Sequence, residues 1–164
     1  MTCKKCDIKP VWEFTNQTKL CKRCFLDYFD KKVFRTIRKY NMLNGKTQIL
    51  LKKDGSLNTN VLKSVLEQNF VVKFSPKADF SAENLSEAAE GIFLSLLEGK
   101  FKGELPKNKP LYFLSDKEIE LYAKLRNIKG KKRKQNTRTK KLFERFQKNP
   151  DLEHNIVNAF LQLD

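Results

Sequence analysis

Cys3-Lys-Lys-Cys6 and Cys21-Lys-Arg-Cys24 are the stretches that decide how this chain begins to fold. Two residues separate the cysteines within each pair, and fourteen residues separate the pairs. That spacing lets two thiolates on one tight turn reach the same ion, and four thiolates at about 2.3 Å fill a zinc tetrahedron. The pattern is typical of zinc ribbons and knuckles. It predicts a structural Zn²⁺ site whose ligands are Cys3, Cys6, Cys21 and Cys24.

Two other uses of the four cysteines stay open. One is disulfide pairing, but the lysine-rich chain shows no signal peptide, which favours a reducing, cytoplasmic location. The other is an iron-sulfur cluster, which four thiolates also hold. Between the pairs, we interpret Trp12 and Phe14 as the small core of this module rather than as a base-stacking platform.

The composition indicates one ordinary domain with a small appended module and a polyanion as partner. The chain has 164 residues, is 40% hydrophobic and contains 13 phenylalanines, which argues against general disorder. No apolar run approaches the ~20 residues that span a bilayer. Lysine and arginine number 34 against 19 acids, a formal charge of +15. Such an excess attracts RNA, although a generally lysine-rich proteome would produce the same balance.

The pattern of apolar residues predicts alternating helices and strands. A helix with a basic outer face follows Cys24, because Phe25, Phe29 and Val33 recur at four-residue steps. Strands are expected at 48–51 and 70–74, with a short helix between them. A long core helix is expected from Ser81, the predicted N-cap, to Gly99.

Later segments are a capped helix, a basic run and two short helices. Ser115 and Glu118 form a predicted capping box. The run 129–141 contains eight cations and no acid, and we interpret it as a flexible arm that orders on RNA. A solvated linker and a localisation signal are its alternatives. Helical patterns at 142–147 and 152–163 are separated by Asn149-Pro150.

Three later segments carry a resemblance to a known family. Residues 84–99 resemble an NLDDEAQ-type helix that ends in a leucine pair and a glycine. Residues 109–123 resemble the motif KPLR-x-x-x-EKE-x-x-LYA, and residues 155–160 resemble N-I-x-x-S-F. In this order, after a four-cysteine knuckle and a helix, the segments resemble the tRNA 2-thiolation enzymes of the TtuA and Ncs type. These enzymes belong to the PP-loop ATP pyrophosphatases.

The chain departs from that family where the chemistry would occur. The family's SGGxDS loop, which binds ATP pyrophosphate, corresponds to a degenerate loop here, with Asp54, Gly55, Ser56, Asn58 and Thr59. Asp54 stands in place of the first serine, and an anion there repels phosphate. The family's catalytic cysteines have no counterpart after Cys24. The resemblance and these losses together imply a shortened pseudoenzyme.

The predicted architecture is α/β, with a zinc ribbon or knuckle followed by a reduced, helix-rich PP-loop (Rossmann-like) remnant. The expected units are a zinc knuckle at 1–26, a linking helix and reduced core at 27–128, a basic arm at 129–141 and C-terminal helices at 142–164. The predicted nucleic-acid-binding residues are Lys4, Lys5, Lys22, Arg23, Lys32, Arg35, Arg38, Lys39, Lys131, Lys132, Arg133, Lys134 and Arg138.

The predicted function is non-catalytic binding of tRNA or another structured RNA, with no membrane association. The resemblance adds two candidate protein partners, an active PP-loop thiolation enzyme and a second copy of this chain. Two alternative functions stay open: a ribosome-associated RNA-binding protein and a residual ATP-dependent tRNA sulfurtransferase.

Overall fold

The computed structural model describes residues 2–146 and 151–163, in which short strands and helices alternate. The strands are β1 (Trp12–Glu13), β2 (Lys19–Leu20), β3 (Gln48–Leu51) and β4 (Val71–Phe74). The helices are α1 (Lys22–Lys39), α2 (Leu57–Leu66), α3 (Leu85–Leu97), α4 (Asp116–Arg126), α5 (Thr137–Arg145) and α6 (Leu152–Leu161). The predicted mixed α/β class is confirmed. None of these helices is long and apolar enough to cross a bilayer.

The parallel pair β3–β4 is the centre of a small βαβ unit. Gln48 pairs with Val71 and Leu51 pairs with Phe74, so the two strands run in register along their length. Parallel neighbours need a crossover connection, which α2 supplies. Ile49 and Leu51 are at most 1% exposed and pack in the larger core cluster together with α2.

Two tyrosine–carboxylate hydrogen bonds join α1 to α4 beside that core. The Tyr28 hydroxyl donates to Glu118 over 2.8 Å, and the Tyr122 hydroxyl donates to Asp30 over 2.8 Å. Burial, followed by the adjacent carboxylate, raises the pKa of both phenols, so both stay protonated donors. Phe29 stacks on Tyr122 with ring centroids 4.1 Å apart, and the contact helps fix the angle between the helices.

A second, smaller core cluster lies where α3 packs on α6. Its buried members are Leu85, Ala88, Ala89, Ile92, Tyr112, Val157 and Phe160. The predicted N-cap of α3 was wrong: the helix begins after Asn84, whose side chain accepts the N–H of Glu87. Ser81 lies before the helix instead: its N–H donates to the carbonyl of Asn108, and its hydroxyl oxygen accepts the N–H of Glu83.

Residues 129–136 are anchored to the domain, although a flexible arm was predicted over 129–141. Two backbone hydrogen bonds anchor them to the start of α2. The Leu57 N–H donates to Lys131 O, and the Lys131 N–H donates to Gly55 O. The predicted helix at 142–147 begins earlier, since α5 starts at Thr137. Residues 147–150, including the predicted break at Asn149-Pro150, lie outside the described residues.

Gly130 permits this anchoring, and its replacement by alanine is expected to disturb it. A Cβ at Gly130 would lie 2.6 Å from the Cα and 2.7 Å from the N of Leu57, both backbone atoms that cannot move aside cheaply. We expect Gly130→Ala to lower the free energy of unfolding by about 1–3 kcal/mol, measured by urea titration.

The matched control is Gly91→Ala in the exposed face of α3, where a Cβ meets nothing within 4 Å. Alanine is the better helix former, so this variant should gain about 0.5–1 kcal/mol. Equal stability of the two variants would contradict the close approach of segment 129–136 to Leu57.

Candidate metal centre and nucleic-acid surface

Two short turns bring the four thiols together. In the first, the N–H groups of Cys6 and Asp7 both donate to Cys3 O. Asp7 has a φ of +47°, which reverses the chain after the first pair. The antiparallel strands β1 and β2 then return the chain to Cys21, the N-cap of α1, which places Cys24 in the first helical turn. A helix N-terminus favours negative charge, and so favours thiolates.

The four sulfur atoms lie close enough together to bind a metal. The Sγ atoms of Cys3, Cys6, Cys21 and Cys24 all lie within 4.8 Å of one another. Cys6 Sγ is 3.3 Å from Cys21 Sγ and 3.6 Å from Cys24 Sγ, and all four cysteines are free thiols. Sulfurs at about 2.3 Å from one zinc ion would be about 3.8 Å apart. A four-iron cluster binds each thiolate through a different iron, which spreads the sulfurs farther apart.

The thiols cannot all ionise without a cation. Burial opposes ionisation of Cys3, but hydrogen bonds from the Lys5 and Cys21 backbone and from neighbouring thiols lower its pKa to about 6. Burial and the other three thiols raise the pKa of Cys24 to about 12. A divalent ion would stabilise four thiolates at once. The donor set therefore fits a thiophilic metal.

The degenerate loop forms a closed, self-satisfied turn at the start of α2. Asp54 Oδ1 accepts the N–H of Ser56 over 2.8 Å, and Asp54 Oδ2 accepts the Thr59 hydroxyl over 3.1 Å. The Ser56 hydroxyl oxygen accepts the N–H of Thr59, and Asn58 donates to the carbonyl of Ala82. Burial by itself would raise the pKa of Asp54, but the hydrogen bonds from Ser56 and Thr59 outweigh burial and lower that pKa. An internal carboxylate thus takes the place at the helix N-terminus that an external phosphate would use.

Most predicted cations of the cysteine module and α1 are exposed. Lys4 and Lys5 lie on the first cysteine turn, and Lys22 and Arg23 lie in the first turn of α1. Arg35, Arg38 and Lys39 are also exposed, and their three- and four-residue spacing puts them on one face of α1. Lys32 is different, because its ammonium contacts Glu118 and the Tyr28 hydroxyl.

The predicted cations of segment 129–141 do not form one surface. Arg133 is only 15% exposed and makes ion pairs with Glu90 and Asp116, so its guanidinium is occupied within the fold. Lys132 is exposed but pairs with Glu120 over 2.7 Å. Lys131, Lys134 and Arg138 are exposed. The structure therefore separates an internal anchor, Arg133, from cations that face solvent.

Sequence reasoning missed the acid that holds this segment. Glu90 is 5% exposed, and its Oε1 accepts the Asn136 N–H and the Thr139 hydroxyl while Oε2 accepts from Arg133. The available signal was an acid inside the apolar stripe of α3, beside Ala89. An acid at such a position predicts a buried cationic or hydrogen-bonding partner.

Comparison with known proteins gives a match in structure but not in sequence. No protein-family model and no curated sequence matches the chain. Its structure superimposes on the U34-tRNA thiolase NcsA from Methanococcus maripaludis, solved with its [4Fe-4S] cluster, with a TM-score of 0.78. The match covers 99% of this chain and 87% of the thiolase chain, at 14% sequence identity. This chain has the tRNA thiolase fold.

The match confirms the predicted resemblance at the level of the fold. The thiolase fold here combines the four-cysteine module, the βαβ unit and the later helices in one chain. At 14% identity, the match shows the fold alone.

Proposed function

We propose that this chain is a non-catalytic, zinc-containing protein that binds tRNA or another structured RNA. The observation that carries the proposal is the use of its cysteines. The sequence has four, and all four belong to one closed cluster. No thiol is left to hold a labile iron-sulfur cluster or to carry sulfur to a substrate.

Zinc is the metal that the cluster suits best. The sulfur separations of 3.3 Å (Cys6 to Cys21) and 3.6 Å (Cys6 to Cys24) are near those around one tetrahedral ion. An all-thiolate set of this kind would serve a structural role, because it leaves no open coordination position. Cys3, Cys6, Cys21 and Cys24 would hold the ion, which would join the two cysteine turns and the start of α1.

The internal carboxylate at the start of α2 supports the loss of ATP-dependent chemistry. An incoming pyrophosphate would meet Asp54, whose lowered pKa keeps it ionised at neutral pH. The same loop has already satisfied the N–H groups of Ser56 and Thr59. Purified protein should therefore release no heat of binding when ATP and Mg²⁺ are added in calorimetry.

Exposed cations support RNA as the partner. The excess of 34 cations over 19 acids leaves the cysteine module and the outer face of α1 strongly positive. Such a surface binds phosphates with little regard to sequence. The thiolase fold supports tRNA as the RNA, and we further propose that the chain pairs with an active thiolation enzyme.

The first test measures how binding to a tRNA transcript depends on salt. We expect the fourfold variant Lys22→Gln, Arg23→Gln, Arg35→Gln and Arg38→Gln to bind more weakly, without a change in melting temperature. The slope of log affinity against log salt should decrease by about 0.7–0.9 per lost phosphate contact. Fluorescence anisotropy with labelled tRNA gives both quantities.

The matched control removes the same charge elsewhere, from exposed lysines outside the proposed surface. It carries Lys53→Gln, Lys73→Gln, Lys77→Gln and Lys100→Gln. Equal losses in both variants would mean that only net charge attracts RNA, and would contradict a defined surface. Thiolated tRNA produced by the purified chain with ATP and a sulfur donor would overturn the non-catalytic assignment.

A further inference from the structure

We propose that the outer edge of β4 binds an extended, acidic segment of a partner protein, which adds a third strand to the β3–β4 sheet. One edge of β4 is used within the fold. The N–H of Val71 donates to Thr47 O and the N–H of Ser75 donates to Leu51 O, so alternate residues from 71 to 75 face β3. The proposal goes beyond RNA binding and does not depend on it.

Val72 and Phe74 therefore direct their backbone N–H and C=O groups away from β3. In the part of the chain that the structure describes, no loop or turn covers these groups with a backbone hydrogen bond. The outer edge of β3 is different. Asp79 Oδ2 accepts the N–H of Leu50 over 2.8 Å, and the Asp79 N–H donates to Leu50 O. The fold thus covers the outer edge of β3 and leaves that of β4 open.

The open edge selects a peptide backbone as its ligand. Each outward-facing residue contributes one N–H donor and one C=O acceptor, so the edge presents both kinds of group. A second peptide strand offers the complementary groups. A phosphate offers acceptors only, and its oxygens would meet the carbonyl oxygens of the edge unfavourably. Addition of a strand to an exposed sheet edge is a recurring way in which domains bind extended segments.

The side chains on the two faces of β4 indicate the sequence of that segment. Phe74 is 41% exposed, and the Lys63 ammonium of α2 lies 5.9 Å from its ring centroid. Val72 shares that face and packs against the larger core cluster. Val71, which is 59% exposed, and Lys73 lie on the opposite face. A strand with apolar side chains beside Phe74 and carboxylates beside Lys73 would complement both faces.

The lysines around β4 favour an acidic partner. Lys73 lies in the strand, Lys77 follows it, and Lys52 and Lys53 follow the end of β3 that pairs with Phe74. All four are exposed, and none has an ion-pair partner among the described residues. A second copy of the chain would bring the same lysines against them, and like charges across a strand pair are destabilising. An acidic segment of another protein therefore fits this edge better than a second copy.

The test uses a designed peptide and the zinc-loaded full chain. The probe is a blocked, fluorescein-labelled peptide in which four glutamates alternate with three valines. The control peptide has the same composition, with its glutamates and valines in two separate blocks. By fluorescence anisotropy, we expect the alternating peptide to bind about 10-fold more tightly, because only its side chains match both faces of β4. Amide hydrogen exchange, followed by NMR, should slow at Val72 and Phe74 when the alternating peptide is bound.

Two variants separate the backbone contact from the side-chain contact. Phe74→Pro removes an N–H that the fold leaves without a backbone partner, and proline is tolerated where the N–H of an edge strand faces solvent. Phe74→Ala is the matched control, because it also removes the ring but keeps the N–H. We expect the proline variant to bind the alternating peptide about 10-fold more weakly than the alanine variant. Lys73→Glu should also weaken binding, and it serves if Phe74→Pro folds poorly.

Several outcomes would overturn the proposal. Equal affinity for the two peptides would mean that charge alone is recognised. Absence of binding, or bound peptide with unchanged exchange at Val72 and Phe74, would show that the edge is not the site. Slow exchange there caused by tRNA, or by dimer formation without peptide, would assign the edge to RNA or to a second copy. None of these peptide results bears on the proposed RNA surface, whose cations lie on the cysteine module and α1.

A cross-test keeps the two proposals distinguishable. The fourfold variant that removes Lys53, Lys73, Lys77 and Lys100 should lose affinity for the alternating peptide more than for tRNA. The fourfold variant in the cysteine module and α1 should show the opposite order. If both variants bind the peptide equally well, the lysines around β4 do not select the partner, and the proposal is wrong.

Discussion

Cys21→Ser is expected to unfold the N-terminal module. Cys21 is 2% exposed, caps α1 and joins the second cysteine turn to the larger core cluster. Structural zinc contributes about 10–16 kcal/mol of apparent binding free energy in small zinc domains, and the loss of one ligand removes much of it. The module has only two two-residue strands to replace that energy.

The measurement combines metal analysis with the emission of Trp12. Trp12 packs against Phe25 with ring centroids 5.4 Å apart, so unfolding of the module should expose the indole and shift its emission to the red. Wild-type protein should contain one zinc per chain, and a chelator should reproduce the effect of Cys21→Ser.

Lys22→Ser is the matched control, because Lys22 is the neighbouring residue and is exposed. It should keep its zinc and its emission. A Cys21→Ser variant that melts at the wild-type temperature with one bound zinc would refute the structural site. Iron and sulfide in place of zinc would refute the choice of metal.

Glu90→Ala is expected to cause the second largest loss, about 3–5 kcal/mol of the free energy of unfolding. The change leaves the largely buried Arg133 with Asp116 as its remaining ion-pair partner and removes the acceptor of the Thr139 hydroxyl, which is 0% exposed. For a chain of this size, that loss lowers the melting temperature by on the order of 10 °C. Calorimetry gives the temperature, and hydrogen exchange should increase at the start of α5.

Two variants bracket this prediction. Glu90→Gln keeps an acceptor but loses the charge, so its stability should lie between those of wild type and Glu90→Ala. Glu98→Ala removes an exposed acid beyond the end of the same helix and should change the free energy of unfolding by less than about 0.5 kcal/mol. If Glu90→Ala were as stable as Glu98→Ala, Glu90 would not anchor segment 129–136.

Local patterns predicted several elements correctly. The four-residue steps of Phe25, Phe29 and Val33 gave the buried face of α1, and all three are 0% exposed. Ser115 and Glu118 form the predicted capping box at the start of α4. These features depend on residues a few positions apart, so their physical causes are contained in short windows of sequence.

Long-range contacts decided the elements that were predicted wrongly. Ser81 has the chemistry of an N-cap, but its backbone N–H donates to the carbonyl of Asn108 and Asn84 caps the helix, which begins at Leu85. Arg133 lies in a run of eight cations, yet Glu90, 43 residues earlier, draws it into the fold. A charge run looks solvated until the partner acid is known, because the pairing does not depend on sequence distance.

The sequence by itself determined the four-thiol cluster, through the repeated pairing of cysteines two residues apart, and the basic outer face of α1, through spacings of three and four residues. The tertiary structure alone decided which cations are free for a partner and that Asp54 closes the start of α2. Those properties depend on desolvation and on partners brought together by packing, and neither is encoded in local spacing.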